Sequence, residues 1–190
     1  CDGDCDQLAY IDGCGECDDS PNTDCADLSF DLHVGANLIS FYALPEDLSV
    51  ENIFGNTEGI DGILTEGSAA AYINGSWIGS LEEVSDDAGY WVLSSIESAT
   101  IEILNAEPVP YDENGEVIYN MHYGTNLISY PFQSEQGINE ALGSAADHVF
   151  AILGEGTAAM NNDGEWYGSL AAFEGGNGYW LISNDVFTFT

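Results

Sequence analysis

Hydrophobic and polar positions alternate along much of this chain. Leu28, Phe30 and Leu32 alternate with Ser29, Asp31 and His33, and Val117, Tyr119 and Met121 repeat that pattern. A period of two places such residues on one face of a strand. Leu38-Ile39-Ser40-Phe41-Tyr42 reads as a buried strand, and further strands are expected around Ile63-Leu64, Ala69–Ile73, Ser76–Ile78, Gly89–Leu93 and Thr100–Ile103. Asn74-Gly75 and Asp163-Gly164 are strong hairpin-turn signals. The spacing changes only at Leu48, Val50, Ile53 and Phe54, where a short helix is expected, with Ile138–Leu142 as its counterpart. The chain closes on Val186–Thr190, another alternating strand.

The same pattern occurs twice. Gly35-Ala36-Asn37-Leu38-Ile39-Ser40 returns as Gly124-Thr125-Asn126-Leu127-Ile128-Ser129, and Gly89-Tyr90-Trp91-Val92 as Gly178-Tyr179-Trp180-Leu181. Between them Glu66-Gly67 matches Glu155-Gly156, and Trp77 matches Trp166, at a constant offset of 89 from His33/His122 to Ser94/Ser183. A fixed offset over this length signals a duplicated unit large enough to be a small domain. The expected architecture is all-β with one short helix per repeat. It has a Cys/Asp-rich segment (1–25), a first small β-sandwich or barrel (26–104), a linker (105–114) and a second copy (115–190). Asn114-Gly115 offers a further turn between Val109–Tyr111 and Glu116–Tyr119.

The repeat resembles a β-module of large secreted proteins of bacteria and archaea, marked by Gly-Trp-Asn-Leu-Ile-Ser at its start and Gly-Tyr-Trp near its end. Here Ala36 and Thr125 stand in place of the first Trp. The resemblance covers residues 28–190 and implies an exported or surface protein without specifying its activity.

Composition narrows the partners. The chain has no Lys or Arg against 34 acidic residues, a formal charge of −34. Nucleic acid and anionic membranes are excluded, because both are bound through basic side chains. Ion pairs are left to three histidines and the amino terminus, and the self-repulsion calls for counterions or divalent cations. A calcium-rich or saline medium, resistance to trypsin-like proteases and economy of nitrogen would each favour such a composition, and all three point outside a cell. No apolar run approaches a membrane span, and the sequence is expected to be a mature chain or an excerpt of one.

All five cysteines, Cys1, Cys5, Cys14, Cys17 and Cys25, lie in the first segment, which has little apolar content. Disulfides are expected to staple it. A four-Cys zinc site is the less favoured alternative in an extracellular setting. Asp2, Asp4, Asp6, Asp12, Asp18 and Asp24 are the candidate calcium ligands, although Gln7 stands where an EF-hand needs glycine. The segment resembles the acidic Cys-Gly-x-Cys repeats of bacterial surface proteins and, more loosely, thrombospondin type 3 repeats. Cys1 reads as the second half of such a unit, so the natural chain is expected to extend before it.

Catalysis is not expected. The chain contains no nucleophile elbow, no His-Glu-x-x-His and no phosphate loop. Glu66 and Glu155 sit in separate repeats, where they read as turn residues or as acceptors of backbone N–H groups rather than as an acid–base pair. His33 and His122 read as polar strand residues. Tyr90, Trp91, Tyr179 and Trp180 are candidates for stacking on sugars, against core packing, since neighbours on a strand point to opposite faces. Asn74 is a candidate glycosylation site on a turn. The expected function is an extracellular, non-enzymatic, self-associating part of a surface appendage, filament or adhesin. A carbohydrate-binding module pair and a virion surface or fibre protein are the alternatives.

Overall fold

A computed structural model describes residues 10–11, 17–18, 28–55, 57–108 and 117–190; the side chains of 10–11, 17–18 and 107–108 are not described. The chain is mostly β-strand with few helices. Its first strands are β1 (Tyr10–Ile11) and β2 (Cys17–Asp18), an antiparallel pair. The first repeat holds β3 (Leu28–Leu32), β4 (Gly35–Ile39), β5 (Ala43–Leu44), α1 (Val50–Phe54), β6 (Ile60–Thr65), β7 (Ser68–Ile73), β8 (Ser76–Gly79), β9 (Tyr90–Ser94) and β10 (Ala99–Ile103). After β11 (Glu107–Pro108), the second repeat holds β12 (Tyr119–Met121), β13 (Gly124–Ile128), β14 (Gln136–Gly137), α2 (Ile138–Leu142) and a 3-10 turn (Gly143–His148). It continues with β15 (Val149–Gly154), β16 (Thr157–Asn162), β17 (Glu165–Gly168), β18 (Ala172–Phe173), β19 (Tyr179–Ser183) and β20 (Phe187–Phe189). Cys1, Cys5, Cys14, Cys25, Asp2, Asp4, Asp6, Asp12 and Asp24 lie outside the described residues, as does the turn expected at Asn114-Gly115. Cys17 and Asp18 are placed by backbone only.

Each repeat forms a five-stranded antiparallel sheet, in the order β4-β9-β6-β7-β8 and β13-β19-β15-β16-β17. The registers match: Leu38 lies opposite Trp91 as Leu127 lies opposite Trp180. A two-stranded ribbon, β3–β10 or β12–β20, supplies further apolar side chains to each core. The alternation is what makes this sandwich-like packing possible. Ile63, Val92 and Ile101 are fully buried in the first core, and Ile152 and Leu181 in the second. Both sheets carry an irregularity at the start of the strand after the helix, Ile60/Gly62 and Val149/Ala151. One extra residue there increases the local twist. Asn74 and Gly75 have φ of +53° and +83°, and Asp163 and Gly164 +55° and +88°. Positive φ at both central residues is the geometry of a two-residue hairpin turn that follows strand twist.

The first helix starts two residues later than the hydrophobic spacing suggests. Ser49 caps it, its Oγ accepting from Asn52 N, while Asp47 accepts from Ser49 N. Capping satisfies donors that have no partner inside the first turn. The second helix has Gly137 at its cap and runs into the 3-10 turn. The offset between repeats is 88 rather than 89 at this helix and again at the last strand, where Phe189 faces Tyr119 as Ile101 faces Phe30. The first and last strands of the two repeats are paired within their own repeats, β3 with β10 and β20 with β12. Among the described residues no helix is long and apolar enough to cross a membrane.

Candidate functional site

The residues kept in both repeats converge where the repeats meet. β4 and β13 are edge strands of their sheets. Each edge is covered by the other repeat. Ser40 N donates to Gly176 O at 2.8 Å and Gly178 N to Leu38 O at 3.3 Å. Reciprocally, Ser129 N donates to Asp87 O at 3.1 Å and Gly89 N to Leu127 O at 3.3 Å. Ile39 bridges Asn177 and Ala88 bridges Ile128. The hydroxyls follow the same plan: Ser40 Oγ donates to Asn177 O at 2.7 Å, and Ser129 Oγ to Asp86 O at 2.5 Å. Exposed edges invite pairing with other chains, and soluble proteins commonly blunt them with lysine. This chain, without lysine, satisfies two of its edges internally.

Glu66 and Glu155 complete the clasp. Each sits at the tip of a two-residue turn whose second residue, Gly67 or Gly156, takes the positive φ of +81° or +68°. The Glu155 carboxylate accepts from Leu38 N at 2.7 Å and contacts His33 Nε2 at 2.5 Å. The Glu66 carboxylate accepts from Leu127 N at 3.0 Å and contacts His122 Nε2 at 2.6 Å. Each imidazole is oriented through Nδ1 by a carbonyl, Val34 O for His33 and Tyr123 O for His122. Protonated, the ring donates from both nitrogens. The Glu155 carboxylate and then the Val34 carbonyl hold the His33 pKa above the ordinary 6.5. For His122 the Tyr123 carbonyl leads and Glu66 follows, in the same direction.

Asn37 and Asn126, buried at 4% and 3% exposure, build the turns that present these histidines. Asn37 Oδ1 accepts from His33 N, and its Nδ2 donates to His33 O, Gly35 O and Val92 O. Asn126 repeats the bonds to His122 N, His122 O and Gly124 O. Gly89 and Gly178 lie at the centre. A Cβ on Gly178 would stand 2.6 Å from Ile39 O and 3.3 Å from Gly89 Cα, and one on Gly89 2.7 Å from Ile128 O. Only glycine permits this approach of backbone to backbone.

No family model, curated protein or solved structure matches this chain. The internal repeat is therefore the comparison that carries the most weight. It marks as kept in both copies the serines, glutamates, asparagines and glycines of the clasp.

The other candidate residues are dispersed. Tyr90 and Tyr179 are buried, and their hydroxyls accept from Ser85 N and Glu174 N. Trp91 and Trp180 are half-buried on the opposite, outer face of each sheet, a departure from core packing. There Leu64 and Leu93 flank Trp91, and Leu153 and Ile182 take the same places around Trp180. Trp77 and Trp166 pack against the cores; Trp166 Nε1 donates to Asn139 Oδ1, whereas Trp77 Nε1 is buried without a hydrogen-bond partner. Asn74 lies exposed on its turn. Among the described residues no three His, Cys, Asp or Glu side chains are grouped to hold a metal ion. His148 contacts Asp185 at 3.5 Å and stacks on Phe187.

Serines, glutamates and histidines meet at the clasp. Each carboxylate receives a backbone N–H and a histidine, and each serine hydroxyl donates to a carbonyl. The sequence marked Glu66 and Glu155 as possible acceptors of backbone N–H groups. It did not mark that the donors belong to the other repeat, nor any role for Ser40, Ser129, Gly89 or Gly178. Their retention in both copies was the available signal.

The raised histidine pKa values give the clasp a pH dependence of definite sign. A group whose pKa is higher folded than unfolded contributes stability that is complete below the unfolded value and is lost as pH rises through the folded one. The expected result is that His33 and His122 titrate above 6.5 by NMR, with coupling between the repeats weakening as pH rises through those raised midpoints. Midpoints at or below 6.5 for both rings would contradict the clasp geometry.

Proposed function

We propose that this chain is a non-enzymatic, extracellular structural element: two tandem homologous β-sandwich modules locked into one rigid block, forming part of a surface appendage, filament or adhesin. The observation that carries this reading is the reciprocal clasp. The duplicated motif is spent on joining the copies, with backbone, serine, glutamate and histidine contacts made in both directions. Such an arrangement fixes the relative orientation of two small cores, which suits a spacer or building block. Divalent cations are proposed to relieve the repulsion among 34 acidic residues and to promote self-association. The acidic Cys/Asp-rich segment is their proposed site, with its cysteines in disulfides.

The test is assembly. Calcium should raise both particle size by light scattering and the melting temperature beyond what sodium chloride does at equal ionic strength, and electron microscopy should show ordered oligomers. A chain that stays monomeric and melts alike in both salts would overturn the cation-dependent structural reading.

A carbohydrate-binding role is the second reading, favoured by the outward placement of Trp91 and Trp180 among apolar neighbours. Indole faces of this kind stack on sugar rings. Binding on a glycan array that is lost in Trp91→Ala and Trp180→Ala would establish it.

A further inference from the structure

The two halves of the clasp differ at the residue before each central glycine. Gly89 follows Ala88, whereas Gly178 follows Asn177. Asn177 is exposed, although its backbone bridges Ile39 of the other repeat. The peptide unit joining Asn177 to Gly178 is pinned at both ends. Asn177 O accepts from Ser40 Oγ at 2.7 Å, and Gly178 N donates to Leu38 O at 3.3 Å. The preceding unit is held as well, since Gly176 O accepts from Ser40 N at 2.8 Å.

Asparagine before glycine carries a latent reaction. The amide nitrogen that follows can attack the side-chain carbonyl carbon, and glycine, without a Cβ, leaves that approach open. At this site a bond forms from Gly178 N to Asn177 Cγ. The Cγ–Nδ2 bond breaks, and ammonia leaves with the proton given up by Gly178 N. Water then opens the five-membered imide at one carbonyl or the other, giving aspartate or isoaspartate, with no change of oxidation state. The attack needs rotation about the Asn177 backbone and a nitrogen released from its acceptor. The clasp prevents both while Ser40 and Leu38 hold the peptide unit.

We propose that Asn177 is a self-modification site guarded by the clasp. With the repeats joined its amide persists; when they part it converts to aspartate and isoaspartate. Isoaspartate carries the main chain through the former side-chain carbonyl, which adds a methylene before Gly178 N. The acceptor for the Ser40 hydroxyl and the donor to Leu38 O then no longer match the edge of β4. Conversion therefore makes a reversible opening permanent. Ala88 has no amide to lose, so only this half of the clasp is affected. The inference rests on the clasp alone and not on what the block builds. Asn74-Gly75 supplies a reference in the same molecule. It lies exposed on the β7–β8 turn, and among the described residues nothing accepts from Gly75 N.

The experiment incubates the whole 190-residue protein at neutral pH and follows both asparagines by mass spectrometry after peptic digestion in acid. Expected is conversion of Asn177 at least about tenfold slower than that of Asn74, because only the open fraction reacts. Gly89→Val, which crowds Ile128 O but leaves Asn177-Gly178 intact, should raise the Asn177 rate at least about fivefold with the Asn74 rate unchanged. If Gly89→Val fails to fold, graded urea below the melting transition of the unaltered protein should accelerate Asn177 and leave Asn74 constant. Protein with isoaspartate in place of Asn177, separated by ion exchange on its added charge, should melt with the repeats uncoupled. Equal rates at the two sites in the parent, no acceleration of Asn177 by either perturbation, or a parental melting profile in the isoaspartate protein would overturn the proposal.

Discussion

Replacing Gly89 and Gly178 together with valine will split the protein into two independently melting units. The wild-type chain is expected to unfold in one transition, because the repeats share reciprocal backbone bonds as well as the glutamate contacts. A Cβ at either glycine would fall 2.6 to 2.7 Å from a carbonyl oxygen of the opposite repeat. That obstacle is backbone on an edge strand, not a side-chain end that can swing aside. Overpacking of this kind costs about 1–3 kcal/mol per site. The two costs will not add simply, since a Cβ on Gly178 would lie 3.3 Å from Gly89 Cα. The cheapest relief is to part the repeats, which abolishes the bonds from Ser40, Ser129 and the two glutamates together. Calorimetry should then resolve two transitions, and the radius of gyration from X-ray scattering should rise. Parting also frees the edges of β4 and β13, so the variant should aggregate more readily than the parent. Gly137→Ala is the control, since a Cβ there meets no atom within 4 Å. A double variant that melts once, at the parental temperature, would show that the interface does not couple the repeats.

The second large effect is expected at Asn37 and Asn126. Each side chain satisfies both backbone groups of a histidine in the turn before the edge strand. Leucine is close in size but offers neither donor nor acceptor. Leaving these part-buried groups without partners, and burying leucine in place of the amide, should cost about 1–3 kcal/mol at each position. For a cooperative unit of this size that corresponds to a fall of roughly 2–12 °C in melting temperature. Aspartate should be worse at neutral pH, because it keeps the acceptor, loses the donors and places a carboxylate beside carbonyl oxygens. Burial would raise the pKa of that carboxyl when folded, so its penalty should shrink as pH falls and the acid becomes neutral. Thermal melts of Asn37→Leu and Asn37→Asp at neutral and mildly acidic pH give the comparison. Equal losses for the two variants at every pH would show that neither the retained acceptor nor the buried carboxylate charge matters at this site.

Much of the β architecture was legible in the chain because it rests on neighbours in sequence. Alternation at Leu28, Phe30 and Leu32 depends only on the period of a strand, and Asn74-Gly75 and Asp163-Gly164 turn because their residues tolerate positive φ. The duplication was legible for the same reason, as a repeat of local patterns. Helix α1 was legible apart from its first turn, where the bond from Asn52 N to Ser49 Oγ decided the start.

Only the tertiary structure decided which member of each Tyr-Trp pair turns inward. Period two requires that one does, but the partners for a buried hydroxyl, Ser85 N and Glu174 N, come from the preceding loops. The roles of the two glutamates were decided in the same way. Glu66 reaches Leu127 across 61 positions of sequence, and Glu155 reaches Leu38 across 117. Local patterning specifies each sheet without specifying how two sheets face one another. That orientation follows from which edges are covered, how closely Gly89 and Gly178 approach, and which donors then meet the carboxylates.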